Sequence, residues 1–125
     1  MGKLRTIFNR FRGHPVEDDP TAYLKETRRV REFHSRAALE RLSDAELMAC
    51  AAGLKERLGR PAPSAGPEGV KARVEAVALA VEAARRGVGL ASHDVQIVAA
   101  LAMADGKIAE LPTGEGKTLS AVLAA

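Results

Sequence analysis

The sequence contains no tryptophan, one tyrosine and three phenylalanines in 125 residues, an aromatic share of 3%. A core built from it has to be mostly aliphatic, and the alanine and leucine that dominate its 46% apolar fraction favour helix. The arginines Arg28, Arg29, Arg31 and Arg36 lack the aromatic interleaving that would support base stacking there. A single cysteine, Cys50, excludes an internal disulfide and a zinc set, and suits a reducing compartment. No apolar run reaches about 18 residues and no signal-peptide core is present, so a cytoplasmic location is expected. The net charge of +3 and pI near 9.4 permit anionic partners without demanding nucleic acid, and none is expected.

Residues 1–12 place Leu4, Ile7, Phe8 and Phe11 at helical spacing, with Lys3, Arg5, Arg10 and Arg12 elsewhere on the wheel and no acidic residue. Such a basic amphipathic helix either lies on an anionic membrane surface or packs on its own protein. Gly13-His14-Pro15 breaks it, and an acidic link, Glu17-Asp18-Asp19-Pro20, leads into a charged helical stretch from Tyr23 to Glu40. The mixture of Arg28, Arg29, Arg31 and Arg36 with Glu26, Glu32 and Glu40 reads as a solvated face. Residues 1–41 are therefore expected as an N-terminal pair of helices.

From Leu42 onward the pattern changes. Ser43 and Glu46 form a capping box, opening a helix whose apolar face is expected to hold Leu47, Cys50, Ala51, Leu54 and Leu58, with Cys50 buried as a small apolar residue. Residues 59–69 are rich in Pro and Gly and read as a linker. Val70, Val74, Val77, Val81 and Ala84 then mark the core stripe of a helix ended by Gly87. A further helix runs to Ala104, with Ser92 or Asp94 able to cap its start, and carries Gln96, whose amide can pair with N6-H and N7 of adenine.

The chemistry is concentrated in Leu111-Pro112-Thr113-Gly114-Glu115-Gly116-Lys117-Thr118. Gly114 and Gly116 let the backbone adopt positive φ and turn successive N–H groups toward an anion, and a helix beginning at Lys117 adds its unpaired N–H groups and dipole. Lys117 is suited to the β- and γ-phosphates and Thr118 to a Mg²⁺ bridging them. Leu111 stands where the full Walker pattern has glycine. Asp105-Gly106 and Lys107-Ile108-Ala109-Glu110-Leu111 predict a turn and a short strand ahead of the loop. The fold class expected is therefore α/β, the start of a P-loop NTPase motor, mostly helical with one short strand.

Taken together, Leu42-Ser43-Asp44-Ala45-Glu46-Leu47, Glu75-Ala76, Gly89-Leu90, Asp94-Val95-Gln96, Ile108-Ala109-Glu110 and Thr113-Gly114-Glu115-Gly116-Lys117-Thr118-Leu119 resemble the SecA preprotein-translocase ATPase family, specifically from Leu42 to Ala125. The resemblance implies a DEAD-like motor fold over residues 42–125. It implies an ATP site in which Gln96 reads adenine and Thr113, Gly114, Glu115, Gly116, Lys117 and Thr118 hold phosphate and Mg²⁺, with Lys117 and Thr118 the catalytic residues. It also implies unfolded preproteins and a SecY-type channel as partners, at the inner face of the cell membrane. Ala91 and His93 stand where the family has Arg and an aromatic, so adenine stacking either falls to the His93 imidazole or is lost. Ala99 and Ala100 replace two glycines, and Leu111 and Pro112 replace Met and a basic residue, which suggests a divergent or accessory member. Because no acidic Walker B segment follows the loop, the chain is expected to be an N-terminal fragment that is inactive alone. A DEAD-like nucleic-acid helicase and a non-catalytic docking module on residues 1–12 are the alternatives.

Overall fold

The computed structural model describes residues 20–59 and 66–125. The basic amphipathic pattern of residues 1–12 and residues 60–65 of the linker lie outside the described residues. Five α-helices follow in order: α1 (Thr21–Arg36), α2 (Asp44–Leu58), α3 (Gly66–Val88), α4 (Asp94–Ala104) and α5 (Lys117–Ala124), with a single 3₁₀ turn at Leu39–Arg41.

The short strand expected at Lys107–Leu111, and with it the α/β class, is not found: the described residues form helices, turns and loops, and no strand. A strand needs a neighbour to pair its N–H and C=O groups, and no other strand is present among these residues to supply a ladder. The segment is held at its ends instead. The Lys107 N–H donates to Ala102 O at 3.0 Å, Leu111 is buried, and Ile108 between them is 100% exposed.

α3 is the central helix because its sequence is apolar on more than one side. Val74, Val77, Ala78, Leu79, Val81 and Ala84 are all buried, and they meet Val30 of α1, Leu47 and Leu54 of α2, Ile97 and Leu101 of α4 and Leu123 of α5 in one aliphatic core. Ion pairs between helices give their directions. Glu26 pairs with Arg73 and His34 with Glu82, so α1 runs parallel to α3, whereas Arg57 with Glu75 and Arg86 with Asp44 set α2 antiparallel to it. Tyr23 with Asp105 and Arg31 with Asp94 set α4 antiparallel to α1. Two residues of the charged mixture expected to be solvated, Glu26 and Arg31, therefore carry contacts that orient the bundle, with His34 of the same helix adding a third.

Local signals set several helix ends. The Ser43 Oγ accepts from the Glu46 N–H at 3.3 Å, and the Ser43 N–H donates back to Glu46 Oε2 at 2.7 Å. The Ser43 N–H and hydroxyl together hold the Glu46 carboxyl below its usual range. α3 begins inside the expected linker, at Gly66, because Pro67 has its φ fixed near the helical value and no N–H to lose in a first turn. It continues through Gly87 to Val88, where Gly89 at φ +73° donates to Arg85 O at 2.9 Å and ends it. Cys50 is exposed, a correction to the buried position expected for it. α2 buries only Leu47 and Leu54, so a residue off that line meets solvent.

The reversal between α1 and α2 is held by the least legible feature of the chain, a fully buried carboxylate. Glu82 accepts from Arg85 Nη2 at 2.7 Å and Arg86 Nε at 2.7 Å, and lies 3.0 Å from His34 Nε2. Arg86 also donates to Leu39 O at 2.9 Å, Leu42 O at 2.7 Å and Asp44 Oδ1 at 2.6 Å. It thereby clamps the 3₁₀ turn and the start of α2 onto α3. Arg85, chiefly, holds the Glu82 carboxyl down at about 2 against the opposing effect of burial, with Arg86 and His34 adding to it.

Candidate nucleotide-binding site

α4 and α5 bring Gln96 against the glycine loop. The start of α4 is organised by Gln96 itself. Its Oε1 accepts from the His93 N–H at 2.9 Å, which makes His93, not Ser92 or Asp94, the residue preceding the first helical turn. Arg31 of α1 grips the same corner, donating to Asp94 Oδ1 at 3.0 Å and to the Ser92 carbonyl. Gln96 is 6% exposed, and its Nε2 donates to the Glu115 carbonyl at 3.1 Å. Both ends of one amide are thus used, the oxygen on its own helix and the nitrogen on the loop.

The loop has the backbone its glycines allow. Gly114 lies at φ +94° and Gly116 at φ +74°, both in the region that side-chain-bearing residues avoid. Gly116 is constrained twice, since a Cβ there would overlap Gln96 Nε2, while one on Gly114 would meet nothing within 4 Å. The Glu115 N–H closes a turn on Pro112 O at 3.3 Å, and Lys117 Nζ reaches back to the same carbonyl at 3.2 Å. Gly116 precedes α5 with no side-chain cap, so among the described residues its first N–H groups are left without a capping side chain. Ser120, fully buried, turns its hydroxyl to Gly116 O at 3.4 Å and ties the first turn of α5 to the loop.

The residues singled out from sequence are thus placed as follows. Gln96, Glu115, Gly116 and Lys117 are joined through the loop's main chain, while Thr113, Gly114 and Thr118 are exposed beside it. His93 contributes its backbone N–H to Gln96, and its side chain is exposed. No group of three or more His, Cys, Asp or Glu able to hold a metal occurs among the described residues. No helix among them is long and apolar enough to cross a membrane. Arg31 was missed from sequence, where nothing marks a partner 61–63 residues away.

A helical platform that pins a glycine loop by a buried glutamine defines the class, and comparison with known proteins gives the family. The SecA DEAD-like domain family matches residues 8–125, and the chain belongs to it. It is 39% identical over 122 residues to "Protein translocase subunit SecA" of Thiobacillus denitrificans, covering 98% of this chain and 13% of that protein. The subunit of the same name from Carboxydothermus hydrogenoformans is 39% identical over 111 residues, 88% of this chain and 12% of that protein. The one from Xanthomonas campestris pv. campestris is 46% identical over 85 residues, 68% of this chain and 9% of its own length. The chain therefore spans roughly an eighth of the first two of these relatives.

Proposed function

We propose that this chain supplies the adenine- and phosphate-binding part of an ATP-driven protein translocase. The observation that supports the reading is the bond from Gln96 Nε2 to the Glu115 carbonyl, because it joins the side chain assigned here to the base and the loop assigned to the phosphates in one hydrogen-bonded unit. In this reading Gln96 selects adenine with the second N–H and the second lone pair that its bonds to Glu115 O and the His93 N–H leave, and the exposed His93 imidazole offers a face for the base. The N–H groups of Gly114 and Gly116 and the uncapped start of α5 receive phosphate, and the Glu115 N–H joins them only by leaving its turn bond to Pro112 O. Lys117 exchanges its bond to Pro112 O for the phosphate oxygens, and the exposed Thr118 hydroxyl would help hold the nucleotide's Mg²⁺, which would neutralise charge across the phosphates. The positive φ at both glycines and the absence of a capping side chain at Gly116 fit such a ligand.

The wider role follows from family membership. The relatives are named translocase subunits, so preproteins as cargo and a membrane channel as partner are proposed for the protein to which this chain contributes, working at the inner membrane surface. Hydrolysis by the 125 residues alone is expected to be negligible.

Equilibrium binding of a fluorescent ATP analogue to the 125-residue chain tests the site. ATP should displace the analogue far better than GTP does, and Lys117→Ala should weaken binding at least tenfold. Binding unaffected by Lys117→Ala, or equal displacement by GTP and ATP, rejects the proposal.

A further inference from the structure

An open apolar groove of about 600 Å³ runs between α2 and α3. Leu54 and Leu58 form one wall, Ala76, Ala80 and Ala83 the other, and Met48, 73% exposed, stands at its rim. Lys55 is its one charged lining residue. A wall of alanines leaves space that larger apolar side chains would fill, and exposed apolar area of this kind marks a docking place for a helix.

We propose that the occupant is this chain's own N-terminal segment, with Leu4, Ile7, Phe8 and Phe11 laid into the groove. Composition supports the match. Phe8 and Phe11 are two of only three phenylalanines in the sequence, each able to cover roughly 150–250 Å² when buried. Their four-residue stripe recurs at the spacing that puts side chains on one helical face, and Lys3, Arg5, Arg10 and Arg12 are left off it, toward water. A groove with no acidic lining residue and one lysine selects apolar side chains and not the cations.

Topology supports it as well. α1 is parallel to α3 and α2 is antiparallel, so Pro20, the first turns of α3 and the last turn of α2 share one end of the bundle. The groove ends there, at Leu58 and Gly59. Residues 13–19, with the break at Gly13-His14-Pro15, could reach up to about 25 Å from that end, enough to turn the segment back along it. The inference does not depend on the nucleotide reading, since the groove involves neither Gln96 nor the loop.

The absence of tryptophan makes the test direct. A Phe8→Trp form of the full 125-residue chain, without lipid, should show blue-shifted emission and several-fold weaker acrylamide quenching than a peptide of residues 1–19 with the same change. Met48→Asp, at an exposed position, and Phe11→Asp, outside the described fold, should each restore peptide-like quenching while the chain still unfolds cooperatively, at a lower temperature because the segment's burial is lost. Emission and quenching equal to the peptide's overturn the proposal, as does shielding that persists in both variants. Shielding that disappears on dilution also overturns it, because the occupant is then a second copy of the chain.

Discussion

Gln96 Nε2 donates to Glu115 O at 3.1 Å at the one place where a Cβ on Gly116 would collide with it, so the glutamine and the glycine are fitted to each other as a pair. Gly116→Ala should cost about 1–2 kcal/mol for the left-handed backbone and more for displacing the amide. Gly114→Ala should bear only the first of these, having open space around it. In a double-mutant cycle measured by urea unfolding, Gln96→Ala should partly rescue Gly116→Ala but not Gly114→Ala. Equal, additive costs at both glycines would show that the two residues are not coupled.

The same amide permits a finer separation. Gln96→Glu keeps an oxygen to accept from the His93 N–H but loses the donor to Glu115 O. The start of α4 should remain intact, and the loop should loosen by roughly 0.5–1.5 kcal/mol, the usual net worth of one such bond. Amide hydrogen exchange resolves this: faster exchange at Glu115 and Ser120, whose N–H groups are bonded to Pro112 O and Gly116 O, with the first turn of α4 unchanged. Gln96→Ala should accelerate both regions.

Arg31 offers a third test, because it fixes the corner that Gln96 organises from a helix far away in sequence. Arg31→Ala removes the grip on Asp94 Oδ1 and the Ser92 carbonyl. The pair is partly exposed, so the global cost should be no more than about 1 kcal/mol, while exchange at Val95 to Ile97 rises locally. A uniform rise across all helices would instead mean that Arg31 holds the whole bundle.

What was legible in the sequence was local. Ser43 and Glu46 are three residues apart and determine their own geometry, and the glycine loop is eight consecutive residues whose backbone needs are written in their types. The valine stripe of α3 likewise emerges from spacing alone. The strand at 107–111 failed because a five-residue segment carries a propensity but not a partner, and pairing decides whether it becomes a strand. Cys50 failed because a helix touching one neighbour buries a narrower stripe than its apolar residues suggest. Arg31 with Asp94, and Glu82 with His34, join positions 63 and 48 apart, and nothing near either residue announces the other.

Ala38 is the one described non-glycine residue at positive φ, +48°, at the turn into the 3₁₀ segment. It is held there while Arg86 grips the carbonyls of Leu39 and Leu42 just beyond it. Ala38→Gly should relieve about 1 kcal/mol of left-handed strain, offset in part by the larger backbone entropy of glycine when unfolded. Thermal melting should show a neutral to modestly stabilising change, and a clear loss of stability would mean that the Ala38 methyl group matters more than its backbone.

Glu82 gives the fold a pH dependence of definite sign. Its carboxyl is held at about 2 in the folded chain, chiefly by Arg85, against an ordinary value of 4.5. A group whose value is lowered on folding stabilises above its unfolded value and loses that contribution as pH falls toward the folded one. The stabilisation, on the order of 3 kcal/mol near neutral pH, should therefore be intact above about 4.5 and disappear between there and about 2. Glu82→Gln keeps the shape but leaves Arg85, Arg86 and His34 facing a neutral amide, so it should be strongly destabilised at pH 7. Unfolding free energies measured from pH 7 to pH 2 should converge for the parent and Glu82→Gln at the acid end, where both carry an uncharged side chain at this position. A gap that stays constant over that range would place the acid sensitivity elsewhere and reduce Glu82 to a packing residue.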